Sequence, residues 1–314
     1  MKKLFISMLA VAALASCSKE QTIVADQGEL IGFNTFVENA TRADYSATDI
    51  ETIYVYGTVS NTVSNVKIYD YTEVTRPSDV VGKGYGDEWE CDVTQYWIEG
   101  ASYKFAALVD VPKINITPDV NGMPASFTYT ADGETDVLYD YYATTGQAKG
   151  HNTTVPFTFK HLLAKAHFTV TNNTGNTDYT YSIRDVKVTG TRPDGTYTVY
   201  SVDEGTGSWA STSEVTSTDF ASIENVAKGT PKSNADLLLI PEVSVGVSFT
   251  VAIAVKGTEI ATYNYSKDNV ATLAQNTIYN FCVTLTPGDE ISFTVTAKPE
   301  WGAPTVGSNE NITL

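Results

Sequence analysis

From Leu30 the chain alternates apolar and polar positions with a period of two. Ile31, Phe33 and Thr35 fall on one face and Gly32 and Asn34 on the other, the spacing of a strand with one buried side. "DIETIYVYGTV" (49–59) repeats the pattern, with Ile53, Val55 and Gly57 opposite Tyr54 and Tyr56. "SNVKIYDYTEV" and "SYKFAALV" follow, and "ASFTYTADGETDVLYDYYA" (125–143) predicts two strands around an Asp132-Gly133 turn. Further on, "VPFTFKHLLAKAHFTV", "YTYSIRDVKVTG", "GTYTVYSV", "ADLLLIPEV", "GVSFTVAIAV", "TEIATYNYS", "TIYNFCVTLT" and "EISFTVTA" are short strand-like runs. They are punctuated at Pro193-Asp194-Gly195, Lys256-Gly257 and Pro287-Gly288-Asp289. Many short strands with turn signals and no long amphipathic helix predict an all-β chain built as sandwiches. No fixed-period repeat is present, which argues against a solenoid or propeller.

The start of the chain is an address rather than part of the fold. Met1-Lys2-Lys3 precedes an apolar run from Leu4 to Leu14 that is shorter than the ~20 residues a spanning helix needs. It ends Leu14-Ala15-Ser16-Cys17, small residues before a cysteine, so residues 1–16 read as a lipoprotein signal and Cys17 as the lipidation site. Residues 18–29 are polar and read as a tether. The polar run 144–154, "TTGQAKGHNTT", is the expected linker. The expected division is a lipidated tether and first strand over 17–42, one sandwich over 43–148 and a second over 149–314.

Composition narrows the function. The formal charge of −17 becomes −19 once Lys2 and Lys3 leave with the signal. So acidic a chain excludes nucleic acid as a partner, because affinity there comes from Lys and Arg on phosphates. With Cys17 acylated, Cys91 and Cys282 remain, far apart and in strand-like settings, and read as two buried thiols rather than a disulfide framework.

Little in the sequence points to catalysis. There is no Gly-x-Ser-x-Gly elbow, phosphate-binding glycine loop or His-Glu-x-x-His pair. No enzyme activity, metal or cofactor is expected. His161 and His167 would stand ~20 Å apart on one extended strand, too far to share a metal. Asp132, Glu134 and Asp136 in "DGETD" read as an acidic turn rather than a calcium loop. Tyr139, Tyr141 and Tyr142, with Trp89, Trp97, Trp209 and Trp301, read as packing residues. The alternative is a glycan-stacking face on a monomeric surface lipoprotein.

Arg42 stands out in "ENATRADYS". The chain holds four arginines, at 42, 76, 184 and 192, so Arg42 is the first by a wide margin. It reads either as a solvated loop arginine or as a processing point. Read in order, "LASC", "IGFNTFVENATRA", "YKFAALV", "DVLYDYYA", "VPFTFKHLLAKAHFTV", "LLLIPE" and "AKPEWGAPTV" are similar to the fimbrillin family of lipoprotein-derived fimbrial subunits of Gram-negative anaerobes. The resemblance implies two β-sandwich domains of transthyretin-like Greek-key topology, outer-membrane export through the lipid at Cys17, and assembly into adhesive cell-surface fimbriae. It implies an arginine-specific or trypsin-like protease cutting Arg42–Ala43, and other fimbrial subunits as partners, self or accessory. It also implies a host protein or glycan, or other bacteria, as adhesion targets. The strand carrying Ile31, Phe33 and Thr35 would then fill a groove until cleavage releases it to an incoming strand. Shaft members of the family donate a C-terminal strand. Here Ile312 and Leu314 alone alternate near the end, so tip, accessory and anchor roles stay open.

Overall fold

A computed structural model describes residues 29–37, 50–61, 65–76, 89–109, 114–146, 154–175, 177–201, 206–286, 290–299 and 306–312. The described residues form strands and connections only, as the two-residue periodicity predicts. Four sheets contain them.

The first sheet has seven strands in the order β1 (Phe33–Val37), β9 (Val155–His161), β8 (Leu138–Thr144), β5 (Ser102–Val109), β2 (Thr52–Ser60), β3 (Asn65–Thr75), β4 (Glu90–Cys91). The β1–β9 pair is parallel and the other pairs are antiparallel. This sheet curls on itself. β1 is at one edge and β3 lies sixth in order, yet the rings of Phe33 and Tyr69 are 5.4 Å apart. The curl encloses a core of Ile53, Val55, Tyr103, Phe105, Phe157 and Phe159. The opposite face of the same sheet is also buried, through Tyr56, Ala106, Leu108 and Tyr139. The Phe105–Val109 part of β5 is therefore a continuous apolar run, as strands covered on both faces are.

The cover on that second face is a four-stranded sheet, β13 (Thr206–Ala210), β12 (Asp194–Ser201), β7 (Pro124–Thr130), β6 (Ile114–Pro118). The second unit packs two sheets around one core. One sheet runs β16 (Lys232–Ser233), β10 (Ala164–Asn172), β20 (Thr277–Thr286), β21 (Glu290–Pro299), β22 (Val306–Ile312), with β17 (Leu237–Leu239) also on β10. The other runs β14 (Thr216–Asp219), β11 (Tyr179–Thr191), β18 (Ser244–Val255), β19 (Thr258–Thr272), with β15 (Ile223–Val226) also on β11. Phe168, Ile183, Val188, Val247, Phe281 and Phe293 interdigitate between them.

Three expectations change. Strands β7 and β8 do not form a hairpin across Asp132-Gly133; they belong to different sheets, and that turn is a crossover. The break expected at Pro193-Asp194-Gly195 falls at Arg192 and Pro193, while Asp194 opens β12 and Gly195 lies within it. A Cβ on Gly195 would stand 3.1 Å from both Ile240 and Trp209, so the glycine admits a close approach. Strand pairing also crosses the expected division at 148/149. After the polar run, β9 returns to the first sheet beside β8. The chain changes sheets instead at Leu162 and Leu163, which are buried. Strand β12 then comes back to pair with β7, with β13 on its other edge.

Candidate functional site

The first strand occupies a seam. On one side β1 runs parallel to β9, with Phe33 opposite Val155 and Val37 opposite Phe159. The Val155 N–H donates to the Gly32 carbonyl at 2.8 Å. On the other side the lead-in residues pair with the segment after β4. The Ile31 N–H donates to the Gln95 carbonyl and the Trp97 N–H to the Glu29 carbonyl, both at 2.9 Å, around a Leu30–Tyr96 bridge. Residues 29–37 thus close the curled sheet, tied by backbone hydrogen bonds at both margins.

The side chains follow the alternation read from the sequence. Ile31, Phe33 and Thr35 are 7%, 2% and 1% exposed, while Gly32 and Asn34 are half-buried. Phe33 sits in an aromatic cage, stacked on Phe157 at 6.0 Å and edge-on to Tyr69 at 5.4 Å and Phe105 at 6.2 Å. Burial of a ring that size contributes about 1.5–3 kcal/mol, and favourable aromatic pairs add about 0.5–1.5 kcal/mol each. Thr35 points at Arg76, whose Nη2 donates to its hydroxyl at 3.4 Å. The Arg76 N–H donates to the Glu51 carbonyl at 2.8 Å, which continues the β2–β3 ladder past Thr75. The seam is therefore a slot shaped for a strand with apolar, aromatic and hydroxyl side chains at alternate steps.

The lipidation site Cys17 and the cleavage pair Arg42 and Ala43 lie outside the described residues, as does Trp301. The glycan-face alternative loses most of its residues. Trp97, Trp209, Tyr139 and Tyr141 are buried in the cores, and Trp209 Nε1 donates to the Leu162 carbonyl at 2.7 Å. Their rings are covered by protein and present no face to a sugar. Tyr142 and Trp89 are half-buried against the core inside the curled sheet. An aromatic pair that the alternation alone does not single out is more exposed. Tyr54 and Tyr71 stack at 4.4 Å, and Tyr71 takes a left-handed φ of 50° at an irregularity in β3.

The acidic turn resolves into capping. Asp132 Oδ1 accepts from the Glu134 and Thr135 N–H groups, while Asp136 bonds the buried ring of His161. His167 pairs instead with Asp236, at 2.9 Å. Among the described residues no group of three His, Cys, Asp or Glu side chains is placed to hold a metal ion. Cys91 and Cys282 are half-buried thiols with no disulfide, and burial raises the pKa of each.

A family model described as fimbrillin-like matches residues 41–301. No curated protein matches the chain. A fimbrial protein from Bacteroides vulgatus superposes with a TM-score of 0.56 at 14% identity, covering 90% of this chain and 99% of its own. Two proteins whose names assign them to cell adhesion share the fold. The one from Bacteroides ovatus has a TM-score of 0.51 at 14% identity over 91% of this chain and 98% of its own. The one from Bacteroides uniformis has a TM-score of 0.52 at 13% identity over 87% and 98%.

Proposed function

The chain belongs to the fimbrillin-like family, and from that premise we propose that it is a structural subunit of a cell-surface fimbrium. It is exported as a lipoprotein through Cys17 and held at the outer membrane until a protease cuts Arg42–Ala43. Assembly follows by strand exchange at the seam that residues 29–37 occupy. The observation that carries this reading is the placement of β1. It ends the strand order of its sheet, Phe33 and Thr35 and the lead-in residue Ile31 are buried, and in the sequence Arg42 follows five residues past Val37.

The physical logic is simple. While the chain is intact, the strand is held at high local concentration by its own tether to the domain. Once the backbone is cut, its departure leaves unpaired N–H and C=O groups on β9 and an empty aromatic cage. Such an edge accepts a strand from another polypeptide. Charge does not drive the step. Residues 17–42 carry two positive and four negative side chains, so their loss moves the formal charge only from −19 back to −17. Pairing and burial supply the free energy.

The test compares the chain with its Arg42→Ala form after exposure to an arginine-specific protease. The unaltered chain is expected to form ladders that survive mild heating in detergent, and the variant to stay monomeric. Equal polymerisation of both would remove cleavage at Arg42 from the mechanism.

A further inference from the structure

The four-stranded sheet does not cover its face of the first sheet to the end. Tyr54, Tyr56, Thr58 and Ser60 alternate on that face of β2. Tyr56 is buried in the core between the sheets, whereas Tyr54 is half-buried and Tyr71 beside it on β3 is 44% exposed. Tyr71 owes its position to a bulge. Val55 pairs with Thr72 and Gly57 with Tyr69, so Asp70 and Tyr71 together oppose Tyr56. Tyr71 takes a φ of 50° there, a left-handed conformation that glycine adopts freely and a bulky side chain rarely does. Its ring lies on Tyr54, 4.4 Å away and 10° from parallel, and meets Tyr56 at 5.8 Å. The result is an open aromatic platform at the rim of a core.

A polar cleft lies farther along the same face. It holds about 180 Å³, below the ~300 Å³ of pockets for drug-sized ligands, a size that suits a single small ring. Its walls are Thr58 and Ser60 of β2, Asn65 of β3, Lys104 of β5, and Asp119 and Asn121 in the turn between β6 and β7. That turn is firmly tied. Asp119 Oδ1 accepts from the Asn121 and Met123 N–H groups at 2.7 and 2.9 Å, and the Asp119 N–H donates to the Met123 carbonyl at 2.7 Å. Gly122, at a φ of 86°, lets the stem of Lys67 cross the turn; a Cβ there would stand 2.6 Å from Lys67 Cδ. Lys67 pairs with Asp70, so this contact links the cleft to the bulge that carries Tyr71.

We propose that this strip binds a neutral oligosaccharide of hexopyranose units, one ring stacked on Tyr71 and another in the cleft against Asp119 and Asn121. Tyr54 and Thr58 stand ~13 Å apart along β2, a span that calls for an oligosaccharide rather than a single sugar. A pyranose has an apolar C–H face, which suits an aromatic ring, and a rim of hydroxyls that both donate and accept. The cleft meets that rim with the carboxamides of Asn65 and Asn121, the hydroxyls of Thr58 and Ser60 and the carboxylate of Asp119. Charge argues against an ionic ligand. Lys67 and Lys104 stand along the strip with Asp70, Asp119 and the exposed Glu73, which pairs with Tyr54. A cationic ligand would face the lysines, and an anionic one the carboxylates of a chain at −17. The site goes beyond strand exchange and does not use the seam.

The experiment places the full, uncut chain on an array of neutral, sialylated and sulfated oligosaccharides, with a lysine-rich peptide as the cationic probe. Saturable binding to neutral hexopyranose oligosaccharides is expected, at least about tenfold tighter than to the sialylated or sulfated forms. Tyr71→Ala and Asn121→Ala should each weaken it about tenfold, while Tyr71→Phe, which keeps the ring, should stay within about threefold. Binding to none of the neutral glycans overturns the proposal, as does a preference for the sulfated forms. Capture of the peptide alone, lost in Tyr71→Ala, assigns the platform to a cationic partner and overturns the sugar reading. Neutral binding that survives either alanine variant overturns the placement of the site. Should Tyr71→Ala fail to fold, nitration of the unaltered chain decides. The bound oligosaccharide is expected to protect Tyr71 from tetranitromethane, read by peptide mapping, and unchanged nitration overturns the site. None of these outcomes bears on cleavage at Arg42.

Discussion

Truncation of Phe33 tests whether the seam strand must unpack before it leaves. Phe33→Ala removes a ring that is 2% exposed and touches three others, at 5.4, 6.0 and 6.2 Å. Deletion of a buried phenylalanine costs about 3–5 kcal/mol. The slot lies at a seam that can partly collapse, so the low end applies, about 3 kcal/mol. If release requires the ring to leave its cage, that loss should speed departure of the cut segment by about a hundredfold. The assay cuts the chain with an arginine-specific protease, passes samples through a size filter over time and quantifies the freed N-terminal segment by mass spectrometry. Asn34→Ala is the control. Asn34 lies on the opposite side of the strand, and its carboxamide accepts from the Thr35 N–H, at 3.1 Å. Its release rate should change by less than about threefold, in line with surface substitutions of about 0.5 kcal/mol. Equal release from the Phe33→Ala and unaltered chains would refute the reasoning, because departure would then not be limited by the contacts that seat the strand.

Three further outcomes follow from the packing. Trp209→Phe removes the donor to the Leu162 carbonyl at 2.7 Å, so the urea midpoint should fall by the equivalent of about 2 kcal/mol with unchanged slope; an unchanged midpoint would mean that β13 is not held there. The hydrogen bond from His167 keeps the Asp236 pKa below the ordinary carboxylate value. Its contribution to stability is therefore present above about pH 4 and lost as pH falls through the lower folded-state value. Asp236→Asn should flatten the acid limb of the stability–pH curve, and identical limbs would contradict this. Burial raises both remaining thiols, so peptide-resolved alkylation at pH 7.5 should be slower at Cys91 and Cys282 in the folded chain than in urea; equal rates would mean that neither thiol is shielded.

The period-two alternation of Ile31, Phe33 and Thr35 makes the inward face of β1 legible in the amino-acid order itself, because a strand has only two faces and one of them carries the apolar residues. The same rule locates most strands, and chemistry at a turn locates others. Lys256 and Gly257, a turn dipeptide in the sequence, both adopt positive φ between β18 and β19, as a tight hairpin demands. Periodicity says which face is buried and is silent on the neighbour. It could not say that β1 would lie parallel to β9, that β7 and β8 would part into different sheets, or that β12 and β13 would return to cover the first unit. Those are choices among long-range pairings that burial of the same residues would satisfy in several ways. The buried aromatics show the limit from the other side. Trp97, Trp209 and Tyr139 carry the same residue types a sugar-binding face would use, and only the tertiary packing placed them inside. Arg76 is visible in the sequence only as one of four arginines. Its meaning came from the curl of a sheet that brought the end of β3 against a strand forty residues away, because a charge acquires a role only from what surrounds it in space.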